Sequence, residues 1–297
     1  MSAATHATGS TDAGARFGGA APTGAPEVLL RSRAYWAFHD GLVLAVRNVV
    51  KISRIPGLLV FGIIQPIMFI LLFAFVFGGA IAIPGGGSYR EYLVAGIFVQ
   101  TIAFAGAATS VGLSEDMSKG LVDRFRSLPM ARSAVLVGRT LGDLVRGSIT
   151  VAVMSLTGLL IGWRINDGVL RAVLAYLLLL AFGYALSWIG CYIGLSVSST
   201  EVAQTAGFIW LFPLTFLSNA FVPTQGMPPW LQTIADWNPV SAVVASLRTL
   251  FGNPNPFADG SSLPQQYPIA VALCWIALIL LIFIPLSVRK YRTVARR

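Results

Sequence analysis

Residues 267–288 read YPIAVALCWIALILLIFIPLSV, an apolar run with no charged side chain. At about 1.5 Å of rise per residue such a run reaches roughly 30 Å as a helix, the thickness of a bilayer's hydrocarbon core. It predicts a membrane-spanning helix. Five further stretches satisfy the same criterion, at about 57–79, 92–113, 136–162, 169–196 and 203–222. The whole composition agrees, with 56% hydrophobic and 11% charged residues and a mean hydropathy of +0.74. Soluble domains carry about 25% charged residues. A disordered chain, a disulfide scaffold and an ordinary soluble enzyme are thereby excluded, and the expected fold is all-α with six transmembrane helices.

The net charge of +9 follows the spans. Basic residues accumulate on the cytoplasmic side of a membrane protein. With both termini inside, that side collects Arg16, Arg31, Arg33, Arg47, Lys51 and Arg54, then Lys119, Arg124, Arg126 and Arg132, then Arg289, Lys290, Arg292, Arg296 and Arg297. The outer side receives Arg90, Arg164, Arg171 and Arg248, while Arg139 and Arg146 begin the third span. Topology thus accounts for the charge, and no nucleic-acid partner is needed. Residues 1–30, rich in Ala, Gly, Ser, Thr and Pro, are too poor in bulky side chains to order themselves and are expected to form a disordered cytoplasmic tail. No basic and then apolar signal segment precedes residue 57.

Three connecting segments carry patterns of their own. In 35–52, Phe38, Leu42, Ala45 and Val49 share one helical face and Asp40, Arg47 and Lys51 the other, which predicts an interfacial helix. In 114–134, SEDMSKGLVDRFRSLPMARSA, Ser114 is expected to cap a helix with Glu115 and Asp116 in its first turn and Arg124 and Arg126 near its end. Met117, Leu121, Phe125 and Leu128 form its apolar stripe and Pro129 stops it. This is either a docking element for a soluble partner or a plain hairpin connector. Between the last two spans, 223–252 holds two short apolar segments, Pro228–Trp237 and Val240–Phe251, split by Asn238-Pro239. They are too short to cross and read as re-entrant or interfacial helices, an outer lid or a packed cap.

Polar groups inside the spans are functional suspects by default. Asp143 shares a helix face with Arg139 and Arg146, the spacing of a structural ion-pair ladder. Gln65, Gln100 and Asn219 either join helices or line a path. Catalytic and metal chemistry find little support: Cys191 and Cys274 lie within apolar runs, and His6 and His39 lack partners at ligand spacing. There is no G-x-x-x-x-G-K-[ST] phosphate loop and no carboxylate suited to proton coupling at mid-membrane. The chain reads as a transport path without an engine.

From about residue 31 onward, this order of elements resembles the membrane subunits of type-2 ABC exporters. EDMSKGLVDRFRSLPMARSAVLVGR at 115–139 and WNPVSAVVASLRTLF at 237–251 are similar to the daunorubicin-resistance branch. The resemblance implies an exporter transmembrane domain over 31–297 in a bacterial inner membrane. It implies a second permease copy, or a homologous permease, and a separate ATPase subunit in two copies that carries the ATP and Mg; this chain itself holds no cofactor. It further implies that 114–134 is a coupling loop, with Glu115, Asp116, Lys119, Asp123, Arg124, Phe125, Arg126, Leu128 and Pro129 meeting the ATPase. The path would run between spans two and five, with Phe98, Gln100, Thr101, Phe104, Phe212, Thr215, Phe216 and Asn219 as its lining. That lining contains no ionised group, so a hydrophobic or amphipathic drug is the expected cargo. A lipid-linked glycan or other lipid remains an alternative, and a non-ABC transporter or a membrane-embedded transferase a more distant one.

Overall fold

The computed structural model describes residues 56–78, 81, 83–119 and 134–294. The N-terminal tail, the 35–52 segment and most of the 114–134 loop, including Asp123, Arg124, Phe125, Arg126, Leu128 and Pro129, lie outside the described residues. Among the described residues the chain is helical with no strand. Four helices are long and apolar enough to cross a bilayer: α2 (Tyr89–Ser118), α3 (Ala134–Leu160), α4 (Gly168–Gly194) and α10 (Pro268–Val294). The first expected span is α1 (Pro56–Leu72), extended by one π-helical stretch over Phe73–Phe77.

The fifth expected span is broken. Instead of one helix over 203–222, the chain forms α5 (Thr200–Ile209) and α6 (Leu211–Phe216), then leaves helical geometry at Leu217. Pro213 supplies the reason. It has no N–H for the carbonyl of Ile209, and its ring crowds that carbonyl, so the helix parts at Trp210. The two outer segments form α7 (Pro229–Asp236) and α8 (Pro239–Phe251), close to their expected limits, and the short α9 (Leu263–Gln266) follows. Asn238 separates them and serves both sides: its Oδ1 accepts the Val240 N–H at 2.8 Å, while Nδ2 donates to the carbonyls of Leu214 and Leu217, both at 2.7 Å. One side chain thus caps the start of α8 and the end of α6.

Packing centres on α2. Every residue from Tyr92 to Gln100 is buried, so this helix is apolar and enclosed on all sides. It contacts α3, α4, α5 and α8. The approach to α4 is close enough to need glycine: a Cβ on Gly190 would stand 2.2 Å from the Gly106 carbonyl oxygen, and one on Gly194 would stand 2.6 Å from that of Ser110. Small residues let membrane helices touch backbone to backbone. On the circumference, Leu160, Val169 and Leu281 are largely exposed, as a bilayer solvent permits.

Two expectations change. First, α2 does not end at Ser114, which is buried within it, so Glu115 and Asp116 occupy its last turn rather than the first turn of a new helix. Acids are disfavoured at that end of a helix dipole, and cations offset them: Lys119 Nζ lies 2.8 Å from Glu115 Oε1, and Arg139 Nη1 lies 3.0 Å from Asp116 Oδ2. Second, Arg248 was counted with the outer-side cations. It is fully buried, because every residue of α8 from Val240 to Arg248 is enclosed among α2, α4 and α10.

Candidate functional site

Buried irregular backbone in a membrane protein must find its hydrogen bonds inside the protein. The unwound end of the fifth span does so through three side chains. Tyr92 Oη donates to the Asn219 carbonyl at 2.7 Å, and Tyr89 Oη donates to that of Phe221 at 3.2 Å. The Arg248 guanidinium donates through Nη2 to the carbonyls of Asn219 and Ala220 at 3.0 and 3.1 Å, and through Nε to that of Tyr92 at 2.9 Å. It also lies 3.4 Å over the Tyr92 ring. Asn219 itself donates through Nδ2 to the Ser241 carbonyl at 3.3 Å. These bonds fix the end of the span against α2 and α8.

A cavity of about 350 Å³ lies among α1, α2, α3, α5 and α6. Its wall takes Gln65, Pro66 and Phe69 from α1, and Gln100, Thr101, Ile102, Phe104, Ala105 and Ala108 from α2. Arg146, Gly147 and Thr150 come from α3, Phe208 from α5 and Phe212 from α6. From the cavity the phenyl rings continue as an unbroken series. Phe104 meets Phe208 at 5.5 Å and Phe212 at 5.6 Å between ring centroids. Phe212 stacks on Phe216 at 5.9 Å, Phe216 on Phe221 at 5.7 Å, and Phe221 on Phe73 at 5.1 Å. Phe73 then contacts Phe77 at 5.1 Å and, at 5.8 Å, Phe69, which is back in the cavity wall. Phe212 and Phe216 are about half exposed, so this aromatic surface is open rather than sealed.

The eight residues expected to line a path therefore divide. Gln100, Thr101, Phe104 and Phe212 meet in the cavity, and Phe216 extends it along the aromatic series. Phe98 lies elsewhere, fully buried against Trp163 and Phe251. Thr215 is buried and donates to the Leu211 carbonyl within its own helix, and Asn219 is structural as described. Gln65, read as either a joint or a lining residue, is in the wall; Phe69 and Thr150 were missed, and Arg146 had been assigned to the ion-pair ladder. The i, i+4, i+8 spacing of Phe69, Phe73 and Phe77 carried a readable signal. The expectation of a lining without an ionised group fails at Arg146, which the third helix brings into the wall.

Arg146 also ends a chain of ion pairs. From Asp116, Arg139 Nη1 stands at 3.0 Å; Arg139 Nε reaches Asp143 Oδ2 at 3.4 Å, and Arg146 Nη2 reaches Asp143 Oδ1 at 3.2 Å. Thr109 Oγ1 adds a hydrogen bond to Asp143 Oδ2 at 2.8 Å. The ladder expected within α3 is present, and Asp116 extends it to the end of α2 beside the 120–133 connection. Among the described residues no cluster of His, Cys, Asp and Glu is suited to a metal ion.

Several helices long and apolar enough to cross a bilayer, and a cavity lined by aromatic rings, are features expected of a multi-pass membrane permease. Residues 41–251 match the model of the family described as ABC-2 type transporter, and the chain belongs to that family. It is 35% identical over 246 residues, 83% of each chain, to a daunorubicin resistance ABC transporter permease protein from Streptomyces coeruleorubidus. A probable doxorubicin resistance ABC transporter permease protein from Mycobacterium tuberculosis is 25% identical over 73% of this chain and 75% of its own length. A putative transport permease from Porphyra purpurea is 28% identical over 74% and 76%.

Proposed function

We propose that this chain is the permease subunit of an ATP-driven exporter that moves hydrophobic or amphipathic compounds, drugs among them, out of a bacterial cell through its inner membrane. The observation that carries the reading is the cavity between α1, α2, α3, α5 and α6 with its aromatic series toward Phe77. An apolar body moves along such a surface without losing contact with rings, and the few amides and hydroxyls at the cavity give it orientation. The resistance permeases among its relatives support the same cargo class. In this reading both termini face the cytoplasm, the 35–52 segment lies at the interface, and six crossings are completed by α1 and by the α5–α6 pair. Two copies of an ATPase subunit bind ATP and Mg and press on the 114–134 loop, where Glu115, Asp116 and Lys119 stand. The Asp116–Arg139–Asp143–Arg146 chain leads from that loop to the cavity. A second permease copy completes the path.

Affinity purification of the full chain, alone and co-expressed with its ATPase, tests this. The chain alone is expected to hydrolyse no ATP, and the complex to hydrolyse ATP and expel a hydrophobic dye from vesicles. Hydrolysis by rigorously purified permease, or dye export without any ATPase, would refute the assignment.

A further inference from the structure

Among the described residues, the single ionised side chain in the cavity wall is a cation, Arg146. Arg146 is in contact with the cavity, a third of its side chain is exposed (33%), and no Asp or Glu among the described residues shares the wall. Its charge is only partly compensated. Among the described residues it is ion-paired to Asp143 alone, and Asp143 is also shared with Arg139 and Thr109. The Arg146–Asp143 contact is at ion-pair distance, but Nη2 makes no hydrogen bond. Arg139, by contrast, has two acids, Asp116 and Asp143. The same wall holds Gln65, Gln100, Thr101 and Thr150, polar but uncharged, and the rest of it is aromatic and aliphatic.

We infer that Arg146 forms a subsite for an anionic group, so that the preferred ligand is an amphiphile with an aromatic or aliphatic body and a carboxylate, sulfonate or phosphate at one end. This rests on the reading of the cavity as a binding site and adds the sign of the charge it accepts. A guanidinium pairs well with such oxyanions. A ligand cation meets the reverse situation: no carboxylate in the wall offsets the loss of its hydration, and Arg146 repels it.

Three probes that share a naphthylamine body test the sign: 8-anilino-1-naphthalenesulfonate, neutral N-phenyl-1-naphthylamine, and protonated N-(1-naphthyl)ethylenediamine. Each is titrated into the full chain in nanodiscs of zwitterionic lipid, with protein-free nanodiscs subtracted. The unaltered protein is expected to bind the sulfonate about tenfold or more tighter than the neutral probe and the cation most weakly, the size of one charge-assisted contact. Arg146→Gln should erase the sulfonate preference, Arg146→Lys should keep part of it, and Phe104→Ala should weaken all three probes. Equal affinities for the three probes in the unaltered protein overturn the inference even if no variant folds. If Phe104→Ala weakens every probe while Arg146→Gln changes no preference, the cavity stands as a site and the anionic subsite falls. If neither substitution affects any probe, both readings fall. Adding phosphatidylglycerol to the nanodiscs identifies the source of the anion: competition with the sulfonate places a lipid headgroup at Arg146, and no competition places a soluble amphiphile there, either result retaining the subsite.

Discussion

Replacing Arg248 by Met removes a guanidinium that joins three parts of the protein: its own helix α8, the Tyr92 carbonyl of α2, and the Asn219 and Ala220 carbonyls beyond α6. Hydrogen bonds between transmembrane helices contribute about 0.6 kcal/mol on average and about 1.7 at most, so three amount to roughly 2–5 kcal/mol. The cation–π contact with Tyr92 adds about 1 kcal/mol, and removing a buried charge returns part of its desolvation cost. The expected net loss is about 3 kcal/mol, or about 6–12 °C in melting temperature for a protein of this size. Arg248→Lys separates geometry from charge. One ammonium on a linear stem lacks the guanidinium's fork, so Lys is expected to lose at least as much as Met. The assay is a thermal scan with a thiol-reactive fluorogenic dye in a Cys274→Ser background. Cys274 is exposed, whereas buried Cys191 reacts only as the core opens. If both Met and Lys melt within about 2 °C of the parent, against the scale above, the joint is not stabilising and the reasoning is refuted.

Two further substitutions probe packing and burial. A Cβ on Gly190 would meet the Gly106 oxygen at 2.2 Å, so Gly190→Ala is expected to cost about 1–3 kcal/mol by forcing α4 from α2, whereas Gly226→Ala, with open space around it, should melt like the parent. Equal melting of the two variants would disprove the contact. Asp236 lies in α7 and accepts hydrogen bonds from Ser262 and Gln265, yet burial pushes its carboxyl above the usual range by more than those bonds lower it. A raised carboxyl favours the folded state below about pH 3.8 and loses that contribution as pH rises through the folded value. Asp236→Asn should therefore melt no lower than the parent at pH 7, with any gain vanishing near pH 4, as followed by tryptophan fluorescence; a lower melting temperature at pH 7 would count against it.

Hydropathy carried the length and order of the long helices, because a bilayer forces both into the sequence. The limits of α3, α4 and α10 differ by a few residues from the apolar runs, and α7 and α8 follow the Asn238-Pro239 division. The fifth span was less legible. Its apolar content runs continuously to residue 222, and only Pro213 signals that the helix parts. The end of α2 was misread for an electrostatic reason: Glu115 and Asp116 look like first-turn acids until Lys119 and the distant Arg139 are seen to neutralise them. For the site, helical periodicity brought Thr101 and Phe104 together, but it cannot tell which face meets another helix. Phe98 is therefore packed against Trp163, and Arg146, assigned to a ladder, reaches the cavity as well.

The glycine contacts between α2 and α4 bear on which parts of the protein can move. Two helices whose backbones touch at Gly106 and Gly190, and again at Ser110 and Gly194, cannot slide past one another without a collision, so they behave as one stator. The walls opposite are of another kind: α1 closes in a π-helical stretch, and α5 and α6 meet at a break. The cavity thus has a close-packed wall on α2, a regular one on α3, and two walls, α1 and α5–α6, in which the helix is irregular. Phe69 belongs to the first, Phe208 and Phe212 to the second, and Phe104 to the stator, so the contacts of Phe104 with Phe208 and Phe212 join a close-packed wall to a broken one.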